Sequence, residues 1–146
     1  MQTPSFVTPQ RVSAGLAVLR VVLGIIFIAH GAQKFFVFGI EGAINAFGQM
    51  GVPLNTVTAP LVAVLELFGG AALIIGLFTR VIAAGLALDM LGAILFVKAK
   101  GGFFSPNGVE FELILFAAAV ALALTGAGAF SVDAALANRR RKRAAS

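Results

Sequence analysis

Residues 14–33 read AGLAVLRVVLGIIFIAHGAQ, a run whose only ionisable side chains are Arg20 and His30. At a rise of about 1.5 Å per residue, a helix of this length covers the roughly 30 Å of a bilayer's hydrocarbon core. The run is too long for the apolar stretch of a signal peptide, and Arg20 interrupts it. A retained membrane span is therefore expected. Three more apolar runs follow, at 58–78, 81–97 and 111–130. Each is near the roughly 17–25 residues that a spanning helix needs. The third is the shortest, and a short span can thin the bilayer locally or shelter inside a bundle. The expected fold is all-α, an integral membrane four-helix bundle. Residues 1–13 would be a cytoplasmic N-terminus, 14–130 the membrane domain, and 131–146 a basic cytoplasmic tail.

Composition agrees. Hydrophobic residues make up 60% of the chain and charged residues 12%, against roughly 25% charged in soluble domains. Water cannot be the solvent for so much apolar surface. The chain has no cysteine, which excludes disulfides, thiolate metal sites and thiol catalysis within it. Its single histidine, His30, cannot by itself make a bis-histidine haem or a three-histidine zinc site. No metal site is expected, and any redox centre must come from a bound small molecule or a partner.

The net charge is +5, much of it in the run Arg139, Arg140, Arg141, Lys142, Arg143. Beside an apolar segment such a run suits anionic lipid headgroups. No nucleic-acid recognition motif accompanies it. Basic residues also set orientation. With both termini in the cytoplasm, Arg11, Arg80 and the five tail cations lie inside, and Lys34, Lys98 and Lys100 lie outside.

The connections differ in character. Thr79–Arg80 reads as a tight hairpin between the second and third spans. Residues 34–57 are too apolar for a solvated loop. A short interfacial helix between helices 1 and 2, anchored by Phe35, Phe36, Phe38 and Phe47, is expected there; a fifth packing element without a binding role is the other reading. Residues 98–110 carry Gly101-Gly102 and Pro106-Asn107-Gly108, a turn-rich link.

Charges within spans are costly, so each is a functional candidate. Arg20 and Asp89 both count into the cytoplasmic half and are expected to form a structural ion pair. His30, Lys34, Glu66 and Glu112 count into the outer half and form a candidate polar cluster. At 100° per residue, Arg20, Gly24, Phe27, Gly31 and Lys34 share one sector of the first helix. Small residues flank both acids: Ala59, Ala63 and Gly70 around Glu66, Gly85 and Ala93 around Asp89. They let a helix or a ligand approach. The outer cluster could bind a quinone headgroup or relay protons. It could equally be a neutralised lining.

Four stretches carry a resemblance: Arg20–Lys34 (RVVLGIIFIAHGAQK), Val64–Arg80 (VLELFGGAALIIGLFTR), Gly101–Glu112 (GGFFSPNGVEFE) and Gly126–Asp133 (GAGAFSVD). In these the chain resembles the DoxX family of small bacterial membrane proteins. The resemblance implies a four-helix membrane fold and an association with redox chemistry. Relatives in that family include the membrane subunit of thiosulfate:quinone oxidoreductase. The matching polar positions are Arg20, His30, Lys34, Glu66, Arg80 and Glu112, with Asp89 and Asp133 also fitting. Three functions stay open: a quinone-linked redox subunit, a non-enzymatic accessory or scaffold subunit of a larger complex, and a small-solute transporter. The expected partners are the bilayer, other redox subunits or a second copy, and the expected place is the bacterial cytoplasmic membrane.

Overall fold

The computed structural model describes residues 8–145, so part of the expected cytoplasmic N-terminus and the last residue of the tail lie outside the described residues. Among the described residues the chain is all helix and turn. Three helices are long and apolar enough to cross a membrane: α1 (Pro9–Val37), α3 (Asn55–Ile75) and α4 (Thr79–Lys98). Between α1 and α3 lies a short helix, α2 (Gly39–Gln49). Two more follow, α5 (Glu110–Thr125) and α6 (Val132–Ala144).

Local chemistry sets several ends. Thr8 caps α1, its hydroxyl accepting from the Arg11 amide at 3.3 Å, and Pro9 opens the helix where a missing N–H costs nothing. The Asp133 carboxylate accepts from the amides of Phe78 and Thr79 at 2.8 and 2.9 Å, capping α4 from a distant part of the chain. The expected hairpin therefore turns at residues 76–78, and Thr79 already belongs to the helix. The fourth apolar run ends at Thr125 rather than at 130. Gly126 (φ 83°) and Gly128 (φ 75°) turn the chain there. At 16 residues α5 is shorter than the other three long helices.

Packing runs from neighbour to neighbour, α1 on α3, α3 on α4, α4 on α5, and α5 back on α1. The contact between α1 and α3 is the most extensive, that between α4 and α5 the next. Leu23, Phe27, Leu73, Leu86, Leu115 and Leu122 form the centre, all at most 5% exposed. The outward faces are as apolar as the inside: Val18, Phe68, Leu88 and Ile114 are each more than 60% exposed. A surface of that kind belongs in lipid.

The crossing of α1 and α3 depends on glycine. A Cβ on Gly24 would lie 2.6 Å from the Gly70 carbonyl oxygen, and one on Gly70 would lie 2.7 Å from that of Gly24. A Cβ on Gly31 would run into the backbone of Leu67. Small residues at all three points let the backbones touch, a common device in membrane helix pairs.

Candidate functional site

Close approach of α1 and α3 places Lys34 opposite Glu66. The Lys34 Nζ donates to Glu66 Oε2 at 2.5 Å. Both residues sit in π-helical turns, Gln33–Val37 in α1 and Leu65–Gly69 in α3. A third π turn, Ala93–Lys98, ends α4. Such turns insert one residue into a helix and re-aim its side chains, and they recur at functional sites. Here all three border one cavity of about 240 Å³.

The cavity is apolar on most sides. Phe27, Met90 and Leu115 close its inner end, and Ala43, Ala46 and Phe47 of α2 form its roof. Into it point Lys34, Glu66, Asp89, Glu112 and the edge of His30. Glu66 is 3% exposed. The Asp89 carboxyl lies against that of Glu66 and feels the charge of Lys34. Asp89 Oδ2 and Glu112 Oε2 are buried and have no hydrogen-bond partner in the protein. Unpaired buried carboxyl oxygens are expensive, and they mark a place where a ligand would find polar partners. Glu112 also faces Lys98 at 3.7 Å.

His30 is more exposed than expected. Its ring lies 6.3 Å from that of Phe111, at the edge of the cavity rather than inside it. Lys34, Glu66 and Glu112 do share one enclosure, with His30 on its border.

The expected Arg20–Asp89 ion pair is not formed. Arg20, 1% exposed, gives Nη1 to the carbonyls of Leu73 and Ile74 at 3.1 and 3.3 Å, and Nη2 to that of Phe130 at 2.6 Å. Its nearest acid in electrostatic terms is Asp133. The guanidinium thus ties the last turn of α3 to the chain after α5. Leu73 and Ile74 end α3, whereas Asp89 is ten residues beyond Thr79, about 15 Å along α4. The two are simply at different depths. Hydrophobicity alone places the starts of these spans at Thr58 and Val81. The helices begin at Asn55 and Thr79, which puts Glu66 nine residues from Ile75 and Asp89 ten from Thr79, both counted from the turn that joins the two helices, so the two lie side by side near mid-depth.

The DoxX family profile matches residues 15–99, the stretch from α1 to the end of α4. Among known proteins, the chain is 40% identical over 119 residues to one from Bacillus subtilis named "Putative oxidoreductase CatD", covering 82% of this chain and 84% of that one. It is 36% identical over 124 residues to the inner membrane protein YqjF of Escherichia coli, covering 82% and 89% of the two chains. It is 31% identical over 132 residues to the membrane protein Rv3486 of Mycobacterium tuberculosis, described as uncharacterized, covering 83% and 80%. No solved structure matches the chain.

Proposed function

The chain belongs to the DoxX family of membrane proteins, and from that premise we propose that it is a quinone-linked redox subunit of the bacterial cytoplasmic membrane. The observation that carries the reading is the cavity: an apolar enclosure at membrane depth with an ammonium, two unpaired carboxyl oxygens and a border imidazole. Its volume, about 240 Å³, lies just below the roughly 300–1,000 Å³ of pockets that hold drug-sized ligands. That suits one substituted ring. A relative named as an oxidoreductase supports the reading from another side.

A quinone, when bound, supplies a ring that takes up electrons and protons at its two oxygens. The chain's own groups fit the rest. Lys34 would donate to one ring oxygen while Glu66 holds the ammonium in place. Asp89 and Glu112 would hold or pass protons at their free carboxyl oxygens. Phe27, Phe47 and Met90 keep water from the ring. With no cysteine and one histidine, the chain offers no thiolate or bis-histidine centre of its own. Electrons would come from a partner subunit or a soluble reductant.

The membrane arrangement follows from the same reading. In it α1, α3, α4 and α5 all cross, and α2 lies at the outer interface with Phe36 and Phe38 exposed beside it. Both termini are cytoplasmic, and the basic end of α6 meets anionic headgroups. A thermal-shift titration tests the ligand: a ubiquinone headgroup should raise the melting temperature of the detergent-solubilised chain through mass action. A melting temperature that stays flat up to the quinone's solubility limit counts against it.

A further inference from the structure

The cavity has a graded lining. Five of its lining residues are exposed: His30, Phe38, Met50, Val97 and Phe111. Four of these are apolar, with exposures of 55%, 38%, 37% and 39% from Phe38 to Phe111. They belong to the chain just before α2, the end of α2, the end of α4 and the start of α5. The charged groups lie deeper, Glu66 and Lys34 with side chains only 4% and 16% exposed. His30 lies across Phe111, on the α1 side.

The roof is fastened on one side. Helix α2 packs extensively on α3 and on the π turn of α1, with Asn55 Nδ2 donating to the Ile44 carbonyl at 3.0 Å. It has no comparable packing on α4 or α5, which form the opposite lip of the cavity. Both ends of α2 turn on glycine in the left-handed region, Gly39 (φ 70°) and Gly51 (φ 77°). Neither has an atom within 4 Å of where a Cβ would stand. Two unencumbered glycines bounding a short helix are suited to act as hinges.

We infer that the cavity takes a membrane amphiphile head first through the slot between α2 and the α4–α5 lip, that the apolar tail stays in the lipid past Met50 and Val97, and that α2 is the gate. An apolar rim disfavours arrival from water and favours arrival from the bilayer, because a charged or strongly hydrated solute would lose its hydration at Phe38, Met50, Val97 and Phe111 before reaching a polar partner. The polar floor then receives the headgroup. This inference rests on the ligand reading above and adds the route, the tail and the moving part.

The chain lacks native cysteine, so a bridge across the slot can be built cleanly. Met50→Cys and Val97→Cys, in the full chain in liposomes, are joined by a cleavable bifunctional thiol reagent. The probes are a ubiquinone with a long isoprenoid tail and the tail-less headgroup. The bridged chain should lose the long-tailed probe, keep the tail-less one, and regain the first on cleavage. Undiminished uptake of the long-tailed probe by bridged protein overturns the route. Failure of the unbridged wild-type chain to bind either probe overturns the ligand reading and this inference with it. A spin label at Met50→Cys alone gives an independent check. It should be relaxed by lipid-dissolved oxygen more than by an aqueous nickel chelate, and the reverse order overturns opening to lipid.

Discussion

Lys34 and Glu66 close a 2.5 Å ion pair between two π-helical turns, with the amine 16% and the carboxylate 4% exposed. Removing one member strands the other in an apolar wall. Lys34→Met or Glu66→Leu alone should therefore destabilise by about 3–5 kcal/mol, whereas the double variant should cost clearly less than the sum. Thermal or denaturant unfolding of the four proteins in detergent measures this. Strictly additive losses would mean that the pair contributes no coupling.

Arg20 should matter to stability in a way that Asp89 does not. In Arg20→Met the carbonyls of Ile74 and Phe130 lose their donor, while that of Leu73 keeps the Gly76 amide, at about 1–3 kcal/mol for each buried group left unpaired. Arg20→Lys should recover only part, since one ammonium cannot reproduce a planar fork. Asp89→Asn should melt close to wild type. Equal losses from Arg20→Met and Asp89→Asn would restore a direct pairing of the two.

Glycines on α1 should divide sharply. Gly24→Ala and Gly31→Ala force a Cβ onto the backbone of α3, and overpacking of this kind costs about 1–3 kcal/mol. Gly15→Ala, with nothing within 4 Å of its Cβ position, should be neutral or stabilising by up to about 1 kcal/mol. Melting temperatures of the three single variants decide it.

Asp133 caps α4 across more than fifty residues of sequence. Asp133→Ala should cost about 0.5–2 kcal/mol, and Asp133→Asn somewhat less, because its single amide oxygen can still accept one of the two N–H groups. A full loss in the asparagine variant would instead assign the effect to the charge facing Arg20.

Much of the fold was legible because lipid imposes length and apolarity on a chain. The run at 14–33 marks α1, the phenylalanine-rich connection marks the short helix α2, and Gly101-Gly102 marks a loop. What escaped was depth. A start three residues early in α3 and two early in α4 moves Glu66 and Asp89 from opposite halves to one level. Composition carries no sign of where an apolar helix begins, whereas the Asp133 cap and the turn at 76–78 do fix it in three dimensions. The cluster of Lys34, Glu66 and Glu112 was legible from helical spacing; the membership of Asp89 and the border position of His30 were not. The π turns left no pattern in hydrophobicity, since they shift side chains by one residue within an apolar run. The roof by α2 depends on packing between elements distant in sequence.

The most direct test of the quinone reading is mass spectrometry of small molecules extracted from the chain purified gently from native membranes, alongside Glu66→Gln and Asp89→Asn purified in the same way. The account predicts a quinone near one per chain in the wild type and its depletion in both variants, while the folded yield of Asp89→Asn stays near wild type. A well-folded wild-type preparation without quinone, or one whose quinone content is unchanged by both substitutions, would contradict it.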